Sequence, residues 1–232
     1  MLRFASALVL LALLPSCHGA PPTPEASVKP GINQDFLDPA LDVTKYEQRF
    51  EVESREIFAH RARIAGLLRL RAGMSVADVG AGTGLFTVMF APVVGPAGTV
   101  YGVDIAEKFV AHIQQLAAQR QLRNVAAVLC SERSTALPAT SVDLVFVCDT
   151  YHHFEYPQST LASIHQALRP GGELVVVDFI REPGVSRQWV LDHVRAGLPV
   201  VGQEIAAAGF ELVRVEDTPF LRENYMVRFR KQ

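Results

Sequence analysis

Two carboxylates bracket a cluster of glycines: Asp78, then Gly80, Ala81, Gly82, Thr83 and Gly84, and twenty residues further on Asp104. The glycines follow an apolar run at 76–79, and Asp104 ends a second one, Thr99-Val100-Tyr101-Gly102-Val103. Glycines between a strand and a helix let the backbone approach a ligand closely, because no Cβ stands in the way. An acid at the tip of the next parallel strand is placed to accept both hydroxyls of a ribose. Together these residues predict a pocket for an adenosine-bearing cofactor, with Ile105 as an apolar wall along the adenine.

The spacing excludes other nucleotide sites. A dinucleotide fingerprint needs Gly-x-Gly-x-x-Gly, and its third place here is Leu85, the glycine falling one residue early at Gly84. No Gly-Lys-Ser/Thr follows, so a phosphate loop is absent. Asp78, two residues before the first glycine, would repel a pyrophosphate but suits an ammonium. A second informative segment reads Cys148-Asp149-Thr150-Tyr151-His152-His153-Phe154. Asp149, Tyr151, His152 and His153 are the candidate catalytic residues, and a histidine there serves as a base near neutral pH. The alternative is structural, one imidazole packing under the next helix and the other bonding backbone. Asp149, His152, His153 and Asp178 also have the chemistry of metal ligands, but their spacing is dispersed and no metal site is assigned.

These residues need a sheet to bring them together. Strands are expected at 74–79, 99–103, 125–129, 142–148, 173–179, 210–215 and 224–229. Helices are expected at 41–70 with a break near Ser54, then at 82–93, at 105–120, around Leu161, Ile164 and Leu168, and at 200–208. Arg169-Pro170-Gly171-Gly172 should stop the helix before the fifth strand. Strands alternating with helices at this spacing predict an α/β fold with a doubly wound, mostly parallel sheet. In such sheets ligands bind beyond the carboxyl ends of the strands, where every residue named above falls. Cys130 and Cys148 end apolar runs and read as buried thiols, with a disulfide between adjacent strand tips as the alternative.

The 78–84 run resembles motif I of the class I S-adenosylmethionine-dependent methyltransferases, with Asp104 matching their ribose-binding acid. The His152-His153 loop and Leu168-Arg169-Pro170-Gly171-Gly172 resemble the small-molecule, ubiquinone/menaquinone-biosynthesis type. The resemblance covers roughly residues 46–229 and implies a Rossmann-like seven-stranded sheet with a closing antiparallel pair and an N-terminal helical lid. It implies S-adenosyl-L-methionine as cofactor and a small organic acceptor. Asp78, Gly80, Ala81, Gly82, Thr83, Gly84, Asp104, Ile105 and Asp149 would then hold the cofactor, with Ser131 or Glu132 meeting the adenine amino group. Tyr46 and Arg49 would close over the methionine end, Phe50 would be core, and His193 would face the pocket as a histidine does in related enzymes. Asp149, Tyr151, His152 and His153 would meet the acceptor.

The net charge of −2 offers no footprint for nucleic acid. Arg3 and the apolar run 4–14 suit a secretory signal, and Leu14-Pro15-Ser16-Cys17 resembles a bacterial lipobox. The domains expected are a signal at 1–17, a Pro-rich tether at 18–40, and a methyltransferase domain at 41–232, with a membrane tether through Cys17. Envelope placement would follow if the signal is used, and cytoplasmic placement otherwise. The competing reading is an exported, non-catalytic binding module that keeps the fold. An NAD oxidoreductase is disfavoured by Leu85.

Overall fold

The computed structural model describes residues 24–53 and 55–232. The apolar run at 4–14, Cys17 and the first prolines lie outside the described residues. Two helices, α1 (Val43–Glu53) and α2 (Arg55–Leu67), precede the sheet. There follow β1 (Ser75–Val79), α3 (Leu85–Val94), β2 (Thr99–Asp104), α4 (Glu107–Gln119), β3 (Val125–Leu129) and β4 (Val142–Cys148). A single 3₁₀ turn (Tyr151–His153), α5 (Pro157–Ala167), β5 (Leu168–Phe179), α6 (Gln188–His193), α7 (Leu198–Ala207), β6 (Phe210–Val215) and β7 (Asn224–Lys231) complete the chain.

The sheet order is β3-β2-β1-β4-β5-β7-β6. β1 to β5 pair in parallel, while β7 runs antiparallel to both β5 and β6. The order reverses between β1 and β4, which opens a crevice at their carboxyl ends. Alternation along each strand divides the core between the two sheet faces. Ala77, Val79, Val145, Val147, Leu174 and Val176 bury one face against Leu161 and Ile164 of α5 and Val201 and Ile205 of α7. Val76, Leu144, Phe146, Val175 and Val177 bury the other against Ile57 and Ile64 of α2 and Phe86 and Phe90 of α3. Helices on both faces are what doubly wound means, and why the central strands read as continuous apolar runs.

The antiparallel end carries a buried ion network. Arg228, 2% exposed, reaches Glu216 and Glu173 and donates to the Leu67 carbonyl 2.8 Å away. One guanidinium thus ties β7 to β5, to α2 and to the residue after β6.

Several expectations change in detail. The helix after β1, expected from 82, begins at Leu85, because Gly82 and Gly84 sit at φ +53 and +82 and cannot continue it. Residues 169–172 do turn the chain, but as a bulge within β5: Val142 pairs with Leu168 and Leu144 with Glu173, so four residues loop out. Pro170 and the positive φ of Gly171 (+75) account for the excursion. α6 was not expected as a helix. Cys130 and Cys148 are free, since β2 and β1 lie between the strands that carry them. The described part of the expected tether is docked on the domain. Val28 N–H donates to the Glu155 carbonyl, and Glu25 accepts from the backbone N–H groups of Gln158 and Ser159 at the start of α5. A carboxylate at a helix N-terminus meets otherwise unpaired N–H groups and the positive end of the dipole.

Candidate active site

The crevice at the β1/β4 switch point is a cavity of about 730 Å³. The turn after β1 forms one wall. Gly80 and Ala81 donate their N–H groups to the Val103 carbonyl, and Gly82 N–H donates to Asp104 Oδ2 at 2.8 Å. Asp104 Oδ1 accepts from Ala106 N–H at 2.9 Å. The acid therefore locks the glycine turn against the tip of β2 before any ligand arrives. A carboxylate offers about four lone-pair sites, so acceptor capacity remains for a ligand's hydroxyl. Burial pushes the Asp104 carboxyl up to about 6, against the backbone N–H bonds that favour its ionised form.

Asp78 lies beneath the turn and accepts from the Thr87 hydroxyl at 2.6 Å. Burial, aided by the charge of Asp104 and opposed by Thr87, raises it to about 7. It is a buried acid whose ionisation a cation would favour. The glycines are sterically required. A Cβ on Gly80, at φ +72, would stand 2.1 Å from the Thr150 side chain, and one on Gly82 would press on the Phe50 ring at 3.1 Å.

The far wall carries the imidazoles. His152 Nδ1 lies 2.7 Å from Asp178 Oδ1, both buried, so the ring donates its Nδ1 proton to that carboxylate and keeps Nε2 open. Asp178 is itself held by the backbone N–H groups of His152 and Phe179. His153 Nε2 and His193 Nε2 lie 3.2 Å apart. Burial, then neighbouring positive charge from the other histidines and Lys29, holds His153 well below its ordinary range. The same causes, with Arg49 added and Asp178 opposing, hold His193 at about 4. Both are neutral imidazoles at pH 7. Trp189 stacks on His193 with ring centroids 4.9 Å apart, and Phe36 meets His153 edge-on.

Most of the residues expected from sequence meet in this cavity: Asp78, Gly80, Ala81, Gly82, Thr83, Asp104, Ile105, Ser131, Glu132, Asp149, His152 and His153 line it. Two do not. Tyr151 is fully buried on the other side of its turn, where its hydroxyl donates to Glu204 and its ring lies under Arg195. It belongs to the apolar core and not to the acceptor side, because a 3₁₀ turn throws successive side chains to different sides. Gly84 lies outside the lining, and a Cβ there would meet Ile113 at 3.1 Å, so it serves the packing of α3 on α4. The lid residues exchange roles as well. Phe50 lines the cavity with Arg49, whereas Tyr46 packs among Phe36, Phe50 and Phe109. Asn33 and Phe36 went unforeseen, since a segment without periodicity gives no signal of where it docks. Asn33 donates to the His153 carbonyl at 3.2 Å.

Residues 77–176 match the family model described as a methyltransferase domain. The chain is similar to methyltransferases over that stretch. It is 34% identical to nocamycin O-methyltransferase of Saccharothrix syringae over 148 residues, 63% of this chain and 52% of that protein. It is 31% identical to the ubiquinone/menaquinone biosynthesis C-methyltransferase of Hahella chejuensis over 140 residues, 59% of this chain and 56% of the other. The matched region thus spans little more than half the length of either relative. A crystal structure of an S-adenosylmethionine-dependent methyltransferase from Aquifex aeolicus superposes with a TM-score of 0.71 at 24% identity, covering 83% of this chain and all of that one. The fold is the Rossmann-like fold of that structure, and the glycine turn and Asp104 stand at the carboxyl ends of β1 and β2.

Proposed function

We propose that this methyltransferase domain transfers the methyl group of S-adenosyl-L-methionine to a small organic acceptor. One observation carries the reading: the glycine turn with Asp104 and the imidazole cluster line one cavity, of a size within the ~300–1,000 Å³ of small-molecule sites. Asp104 would take the ribose hydroxyls, Asp78 the ammonium of the methionine end, and Ile105 the adenine, with Ser131 and Glu132 at its edge. When bound, the cofactor supplies an electrophilic methyl on a sulfonium. The residues around it contribute proximity and orientation, worth on the order of 7–11 kcal/mol at most, and exclude water.

Relatives named as O- and C-methyltransferases support an acceptor with an acidic hydroxyl or carbon. His152, its Nδ1 proton held on Asp178 and its Nε2 open to the cavity, is the group placed to take that proton. The apolar run at 4–14 with Cys17 supports attachment to a bacterial envelope through lipid. Calorimetry tests the central reading. The protein is expected to bind both the cofactor and its demethylated product. Asp104→Ala should weaken binding about 10- to 100-fold, the worth of charged hydrogen bonds at roughly 1.5–3 kcal/mol. Absence of heat with either compound overturns it.

A further inference from the structure

We infer that His152, His153 and His193 form a binding site for a divalent first-row transition ion, with Zn²⁺ the best fit. One ring nitrogen from each lies within 4.8 Å of the other two, and the cavity reaches all three. Ring centroids are 4.5, 5.2 and 5.1 Å apart, and the closest nitrogen pair, at 3.2 Å, matches the edge of a tetrahedron with bonds of about 2.0–2.1 Å.

The surroundings are those of a constructed ligand set. A metal-bound imidazole ordinarily donates its other N–H to a carboxylate, which fixes the tautomer and aims the ring. Asp178 does this for His152, and two backbone N–H groups hold Asp178 in turn. Trp189 stacks on His193, and Phe36 abuts His153, which restricts the rotation of both rings. Lys29 opposes a second cation nearby, but its ammonium is held on the carbonyls of Asp192 and His193. Three imidazoles leave one coordination position open, and it faces the cavity. That is the pattern of a catalytic rather than a structural ion. An acceptor hydroxyl or enol oxygen there would bind the metal directly and lose its proton to water in the cavity more readily, as metal-bound water does, the ion then standing in place of an imidazole base. The ion site is read from side chains alone, whereas its role in acceptor activation rests on the function proposed above.

The test uses the full chain, purified without a histidine tag and stripped with chelator. Zn²⁺ is titrated against a competing chromophoric chelator, and Co²⁺ is added separately to record its visible spectrum. One equivalent of Zn²⁺ should bind, and Co²⁺ should give an intense four-coordinate spectrum. His193→Asn should weaken Zn²⁺ at least about 100-fold, and Asp178→Asn about 10–100-fold, the usual cost of losing such a carboxylate. His193 sits on a six-residue helix outside the sheet, so that variant should fold, which circular dichroism and thermal melting verify. Zn²⁺ binding equal in wild type and His193→Asn, or an octahedral Co²⁺ spectrum in wild type, overturns the site. Cofactor binding is a separate readout, so failure of either reading leaves the other visible.

Discussion

Asp104 has a structural job and a proposed one, ribose recognition, with opposite pH dependence. As a buried group pushed up to about 6 from an ordinary 3.8, it holds a proton in the fold that it gives up in the unfolded chain across that interval. Its contribution to stability is therefore present at low pH and lost as pH rises from 3.8 through 6. Ribose recognition needs the ionised form, so cofactor affinity should instead rise with pH through about 6. Calorimetry from acid to neutral pH should show that rise in wild type, and in Asp104→Asn weaker binding that has lost the step near 6 and keeps only the dependence set by Asp78. Asp78, raised to about 7 by burial, is the companion case. An ammonium beside it would lower that value and expel a proton. Cofactor binding at pH 7 should thus release protons, measured as heat that varies with buffer ionisation enthalpy, and Asp78→Asn should abolish the variation.

At the scale of elements, the turn joining β1 to α3 is shaped by what its glycines lack. Gly80 and Gly73 both have positive φ, +72 and +85, but only Gly80 is crowded, by Thr150 of the segment after β4. Alanine at Gly73 should cost strain alone, about 1 kcal/mol. Alanine at Gly80 must also displace Thr150, and should cost roughly 2–3 kcal/mol with loss of cofactor binding. Urea denaturation of the two variants compares them directly. Equal losses would mean that Thr150 yields freely and does not shape the turn. The pair also marks how far local sequence reading extends. That the turn needed glycine was legible from its place between an apolar run and a helix. That Gly80 answers to Thr150, Gly82 to Phe50 and Gly84 to Ile113 was not, because each partner comes from a different element.

Over the whole molecule, stability and chemistry are set at different places. The cavity lies at the β1/β4 switch point, while the Arg228 network joins β5, β7, α2 and the end of β6. Arg228→Ala removes a buried charge and strands Glu216, which keeps only Arg214, so the expected cost is about 3 kcal/mol. Cofactor affinity of the folded variant should be unchanged. A parallel fall in both would mean that the network also supports the site. The amino-acid sequence alone determined the doubly wound sheet, the seven strands and the glycine turn with its acid. Each of those rests on periodicity or on residues within one strand-turn-helix unit, where neighbours in sequence are neighbours in space. Only the tertiary structure decided which side chains face the cavity. It turned Tyr151 into the core, brought Phe50 to the cavity, laid Asn33 and Phe36 against His153, and set His193 beside His152 and His153 across forty residues of chain. Those outcomes follow from where β5 and α6 pack on the sheet, and packing between distant segments leaves no periodic trace in a sequence.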